Sequence, residues 1–505
     1  MCGSGGLMSL IAWGKEEEKK RKKHNSLIIS SDNKIVFPEI VNSLSKNQIN
    51  KTIKKFKIKY EMKSLEFFNL NNNKINNKIF KKYYKQKHLT KKIVSEIASY
   101  IEYNYIQLIK HDKIEINYDT YNLTCSNNKI YKLDLIFDNK LLRVNCSKNK
   151  LIKISNIPEN LVWFDCSDNQ IELLEINQDK MLYLNCSGNK ISCLPELPNS
   201  LKVLNCYNNQ ITNFDYLPSS LEYLDCSKNN LFNLDLSNLP SSLIYLICTD
   251  NLITNISFLP INLIYLDVSK NEIVDIYNLP IGLIHLDLSS NKLVNIKNNI
   301  CSLNELKYFN CSSNLIKYLR FEKNTLEKLK ILKCKKNKII KIIDLPKNLS
   351  RLDCSSNNII RINNLPKNLY KLKCNQNKIK LFNELPKNLK LLQCYDNLLE
   401  NIDRLPKGLI ILNCYFNKIN QISNLPKNIY SINLSYNSIN CYNCNNLINL
   451  EYLNISHNNL EFLELINLNN LKTLKICSNS TLSKISINNC EKINYLCTKN
   501  TLLID

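Results

Sequence analysis

The chain repeats one twenty-residue phrase, clearest at Leu345–Asn364, LPKNLSRLDCSSNNIIRINN, and said again over the next twenty residues, LPKNLYKLKCNQNKIKLFNE. Read from the core leucine Leu349, the unit is L-x-x-L-x-C-x-x-N-x-I-x-x-I-x-x-L-P-x-x. Such a period constrains the fold more than any composition does. One unit cannot bury its own apolar face and must stack on its copies. The ninth-position Asn recurs in 18 copies from Asn128 to Asn479, spaced 20 to 23 residues apart.

Apolar residues at the fourth and sixth positions alternate with polar ones, the two-residue period of a strand. One strand per unit, always in the same register, predicts a parallel sheet with one strand per coil. Stacking would bury Leu352, Cys354, Ile359, Ile362 and Leu365 in a continuous core. Asn357 is expected to be buried and to satisfy backbone groups that lose their ladder partners in the turn. The return path carries Leu-Pro, as at Leu217-Pro218, Leu239-Pro240, Leu259-Pro260, Leu279-Pro280 and from Leu345-Pro346 to Leu425-Pro426. Proline fixes φ and pushes its predecessor to extended geometry. With about eight residues available, an α-helix does not fit, and an extended or 3-10 back is expected.

Of the 21 cysteines, 13 fill the sixth position, where other copies hold Val268, Leu288, Leu434, Ile455 or Ile476. Cysteine therefore stands in for a small buried hydrophobe. Equivalent residues of stacked coils lie about 4.8 Å apart, whereas a disulfide wants Cβ atoms near ~3.8 Å. A ladder of free thiols belongs in a reducing compartment.

These residues place the chain, by resemblance, in the leucine-rich repeat superfamily. The short Leu-Pro form resembles the repeats of bacterial secreted effectors, with LPELP at Leu194–Pro198 especially close, and the Cys/Asn/Ile-rich version is similar to leucine-rich repeat proteins of giant viruses. The resemblance implies an α/β repeat solenoid, a horseshoe with a parallel concave β-sheet, over residues 119–482. A degenerate cap is expected at 483–505. It implies protein–protein recognition. The ubiquitin-ligase domain that follows the repeats of some such effectors is not expected in the short stretch after Asn479.

Net charge is +24, concentrated toward the start: residues 1–118 hold 24 Lys and Arg against 11 Asp and Glu. This permits acidic or nucleic-acid partners without requiring either. Residues 1–24, with the run KEEEKKRKK, read as a disordered charged tail. No apolar run reaches the ~20 residues of a membrane helix, and the basic residues follow the first apolar stretch, unlike a secretory signal. An intracellular protein of the host-cell cytoplasm, monomeric and without membrane contact, is the expectation. The opening GGLMSLIAWG is similar to the start of capsid proteins of large DNA viruses.

Residues 25–118 lack the period and read as a basic helical region shielding the first repeat, with Ile93, Ile97, Tyr100 and Ile101 on one helical face. Within it, LTKKIVSEIASYI (Leu89–Ile101) resembles the opening of an F-box, although Thr90 replaces the motif's proline. An amphipathic cap helix is the other reading. LEFFNLNNNKI (Leu65–Ile75) fits the repeat consensus as an outlying copy or an accident of Asn-rich sequence.

Third, fifth, seventh and eighth positions should face the concave surface. In the early copies they supply Trp163, Tyr183, Tyr223, Tyr245, Tyr265, His285 and Tyr308 beside Asp165, Asp225, Asp267 and Asp287. Lys333, Lys335, Lys336, Arg351, Lys371 and Lys373 then form a basic patch, followed by Tyr395, Tyr415, Phe416 and Tyr436. Exposed aromatics on a rigid sheet suit protein recognition. The same residue types also suit a strand surface with no partner. Lys347, Lys367, Lys387, Lys407 and Lys427 form a separate ladder in the turn after Leu-Pro, read as solvated. No catalytic constellation, cofactor loop or metal tetrad is legible, and Cys441-x-x-Cys444 is a lone thiol pair. Three functions compete: a non-catalytic scaffold binding a partner protein on the concave face, a ubiquitin-ligase substrate adaptor, and nucleic-acid binding through basic surface.

Overall fold

The computed structural model describes residues 122–498, except 136–140, 233–238, 258, 297–299 and 423, together with five short strands before them. Those strands are Leu27–Ile29, Ile35–Val36, Leu70–Asn71, Lys74–Ile75 and Ile114–Tyr118. They are strands within the stretch expected to be helical. The rest of that stretch, the F-box-like Leu89–Ile101 and the charged tail lie outside the described residues. Among the described residues there is no α-helix.

The chain forms two compact units, Met1–Asn251 and Leu252–Asp505. In the first, three-residue parallel strands run from Asn122–Thr124 and Arg143–Asn145 through Trp163–Asp165 to Tyr223–Asp225 and Tyr245–Ile247. They stay in phase, so that Leu123, Val144, Phe164, Leu184, Leu204, Leu224 and Leu246 form one row. Ile114–Tyr118 pairs antiparallel with Asn122–Thr124. In the second unit the ladder runs from Tyr265–Asp267 to Tyr495–Cys497, in phase along Leu266, Leu286, Phe309, Leu332, Leu352 and Leu372. It continues into the stretch expected to be a degenerate cap, where Leu496 takes the core position but is half exposed at 51%. Each unit is thus a parallel-strand solenoid of one coil per repeat.

The alternation that predicts the strand also sets its orientation. In most strands the middle residue is fully buried and its neighbours half-buried. Each buried Leu contributes about 1.5–3 kcal/mol relative to exposure, and no coil can collect this alone. Opposite the main sheet most coils return without regular secondary structure. Three groups differ and form small second sheets: Leu133–Asp134 with Ile154–Ser155, Tyr318–Arg320 with Lys341–Ile343, and Cys441–Asn445 with Phe462–Ile466 and Lys484–Asn488.

The Asn ladder closes the turns. Asn357 is buried, its Nδ2 donates to the carbonyls of Cys354, Cys334 and Ser355 at 3.0, 3.0 and 3.1 Å, and its Oδ1 accepts from Ile339 N at 3.0 Å. One side chain thereby ties two coils. Pro346 adds a turn by accepting from Leu349 N at 3.2 Å. The sixth-position cysteines are free and buried. Burial pushes the Cys125 and Cys186 thiols up to about 12, as suits packing atoms and not nucleophiles.

Candidate binding face of the main sheets

Third- and fifth-position side chains project from the face of each sheet opposite the core. In the first unit Trp163 is buried, correcting the expectation of an exposed ring: it stacks on Tyr183 at 5.0 Å, with the Arg143 guanidinium 4.9 Å from its centroid. Val203 interrupts the row, and Tyr223 and Tyr245 form a second, tilted pair at 6.1 Å. The aromatic stripe of this unit is therefore two pairs.

The second unit brings its aromatics closer together. His285 lies between Tyr265 and Tyr308, each ring centroid 4.1 Å away and nearly parallel. Lys333 donates to the Tyr308 hydroxyl at 3.1 Å, and that hydroxyl donates to Asp287 Oδ2 at 3.4 Å. Burial holds the His285 imidazole below its ordinary value, helped by the Lys333 charge and opposed by Asp287. Burial, with Asp287 beside it, raises the Tyr308 hydroxyl. Further along, Arg351 turns toward Tyr370, donating from Nε to its hydroxyl, while Lys371 and Lys373 remain half-exposed. Tyr395 and Tyr415 stack at 4.5 Å.

The acidic row has a structural occupation that its sequence did not reveal. Asp165 Oδ1 accepts from Ser167 N at 3.0 Å and Ser167 Oγ at 2.6 Å. Asp225 and Asp287 do the same with Ser227 and Ser289, and Asp267 Oδ1 accepts from Ser269 N. Asn145, Asn185 and Asn433 make the same two bonds with no charge. A short side-chain oxygen at the fifth position, where present, thus receives the chain as it leaves the strand. The recurring Asp/Asn-x-Ser spacing was the available signal. Burial raises Asp165 and Asp225 above the usual carboxylate range, offset in part by the serine bonds.

A second missed feature is the eighth position, which holds a positive φ in coil after coil: Lys148 at 57°, Asp168 at 53°, Ser356 at 53° and Asp396 at 55°. At Gly188 an added Cβ would lie 2.5 Å from Asp168 Oδ1. The signal was present, since no copy has a β-branched residue there, the class least compatible with the left-handed region. Phe416, Tyr436 and His457 nonetheless occupy it at 56°, 55° and 53°. Their rings form an exposed row, Phe416 to Tyr436 at 5.9 Å and Tyr436 to His457 at 4.0 Å.

One cysteine pair departs from the free-thiol reading. Cys477 and Cys497 form a disulfide, joining a seventh position to the fifth position of the next coil, with Cα atoms 5.7 Å apart. The diagonal offset escapes the row spacing that keeps the sixth-position thiols apart. Among the described residues no group of three or more His, Cys, Asp and Glu is placed to hold a metal ion, and no helix is long and apolar enough to cross a membrane.

No protein-family model and no curated protein matches the chain. Solved structures do. YopM from Yersinia enterocolitica is similar with a TM-score of 0.65 and 28% identity, over 70% of this chain and 78% of that one. A TDR receptor matches with a TM-score of 0.55 and 19% identity, over 76% of each chain. The in-phase parallel ladder, the buried Asn column and these likenesses agree: the chain has the leucine-rich repeat fold.

Proposed function

We propose that the protein is a non-catalytic scaffold that captures a partner protein on the outward, concave face of its main sheets. Leucine-rich repeat proteins of similar fold commonly bind protein partners, which supports the reading. The observation that carries it is the Tyr265–His285–Tyr308 stack. Three half-buried rings held parallel on a rigid sheet offer large contact area with little entropy left to lose. The basic residues alongside supply charge for orientation.

The test is affinity purification of the tagged full chain and of Tyr265→Ala/Tyr308→Ala from the cells in which the protein is made. Loss of a reproducible partner, with an unchanged melting temperature, is expected. A partner retained in full by the folded double variant would overturn the reading.

A further inference from the structure

Two features of the second unit lie along one sheet, with the strand Leu391–Gln393 between them. The first is a group of lysines outside the ion pairs of the described residues. Lys333, Lys371 and Lys373 stand on Ile331–Lys333 and Lys371–Lys373, two strands apart in one register, with Lys335 and Lys336 exposed at the end of the first. None of the ion pairs among the described residues involves these five. Elsewhere lysines on adjoining coils are paired, as Lys202 with Glu222 and Lys472 with Glu451. The nearest acid in the row, Asp353, sits between Lys333 and Lys373. Its Oδ1 already accepts from Ser355 Oγ at 2.6 Å.

The second feature is the Phe416–Tyr436–His457 row. Phe416 and Tyr436 are 55% and 48% exposed, so they gain little from burial, yet each holds a bulky side chain at positive φ. Side chains with a Cβ are strained in this region. Ser356, Gln376 and Asp396 show that small or polar residues serve the same turn. Aromatics kept at a strained, exposed position point to contact with something outside the fold.

We propose that this surface binds an extended acidic protein segment, its carboxylates over Lys333, Lys371 and Lys373 and its apolar residues against Phe416 and Tyr436. The proposal rests on the sheet-face reading above and names the partner's chemistry. Six strand intervals separate Ile331–Lys333 from Tyr452–Asn454, roughly 29 Å at the usual strand spacing, a span that about nine extended residues cover. Single-stranded nucleic acid shares the charge but fits the aromatics poorly. Bases need open ring faces, whereas Tyr395 with Tyr415 and Tyr436 with His457 cover each other's faces at 4.5 and 4.0 Å. Phe416, tilted 45° to Tyr436 and exposed, leaves apolar surface that packs well against apolar side chains.

The experiment selects a phage-displayed library of short random peptides on the full chain and measures the winners by fluorescence anisotropy. Peptides with clustered Asp and Glu next to Phe, Trp or Leu are expected. Lys371→Glu/Lys373→Glu should weaken them about tenfold or more, and Phe416→Ser/Tyr436→Ser should remove the preference for the apolar end. Lys367→Glu/Lys387→Glu, the same charge change in the turn ladder, should leave affinity nearly unaltered. Should the first variant melt early, Lys371→Gln/Lys373→Gln replaces it. Equal losses from both lysine pairs, or an oligothymidine that binds as well and responds to the same variants, would overturn the acidic segment. Peptides without acidic bias that are still lost in Tyr265→Ala/Tyr308→Ala would overturn it while leaving the sheet-face reading standing. Indifference to every sheet-face variant would overturn both.

Discussion

Asp287 and Lys373 occupy the same fifth position on strands of one sheet and are used in opposite ways. Asp287 is turned inward to the chain: its carboxylate accepts from Ser289 N and Oγ and from Asn310 Nδ2. Lys373 is half-exposed and belongs to none of the ion pairs among the described residues. The difference is one of chemistry at a fixed place. The backbone leaving the strand offers an N–H donor two residues on, which a short carboxylate or amide can accept and an ammonium cannot. The acidic residues of this face therefore complete the coil, whereas Lys371 and Lys373 enter none of the ion pairs among the described residues.

The largest effect that sharpens this contrast comes from a buried polar residue of the turn. Asn357→Leu strands several buried backbone groups at about 1–3 kcal/mol each. Urea denaturation should show a clear loss of stability. Next, Asp287→Ala should lower stability by about 1–2 kcal/mol, whereas Lys373→Ala should stay within about 0.5 kcal/mol of wild type. Equal effects in thermal melts would erase the distinction. Third, Phe416→Asn, which tolerates positive φ, should raise stability by about 0.5–1 kcal/mol while weakening the acidic–apolar peptides. A stabilised variant with unaltered binding would separate strain from function.

The smallest effect is a pH dependence at Asp165. Burial raises its folded-state value above the ordinary 3.8, so the unfolded chain ionises first. Its stabilising contribution is present below that ordinary value and is lost as pH rises through the higher folded value. Asp165→Asn keeps the bonds to Ser167, as Asn145 and Asn185 do in neighbouring coils, and removes the charge. Its melting temperature should gain on wild type as pH rises above the ordinary carboxylate value. A gain that does not grow with pH would show that the burial of this carboxylate has no energetic consequence.

Much of the fold was legible because a repeat writes its own contacts. Leu352, Cys354, Asn357 and Ile359 needed only the period to be assigned to the interior, and all are buried. The candidate face was legible as a set of residues but not as a set of roles. Tyr265, His285 and Tyr308 are separated by about one coil each, and their spacing did place them in one row. Nothing local indicated that Trp163 would be buried under Arg143, whereas the Asp-x-Ser spacing was the one trace of the turns that Asp165 and Asp225 complete. The left-handed eighth position left a trace in composition. Cys477 and Cys497 left none, because their pairing is diagonal.

The sequence by itself determined the solenoid: a twenty-residue period with two-residue alternation inside it has only stacked parallel strands in which to bury its leucines. Tertiary structure decided which polar residues remain for recognition. Stacking sets residues of successive coils side by side in one register, so a side chain's partners lie one coil away and two residues ahead at once. A carboxylate that finds an N–H there is taken into the scaffold. A lysine beside a carboxylate already engaged, as Lys373 is beside Asp353, or a phenylalanine exposed at a strained turn, is not taken into it in this way.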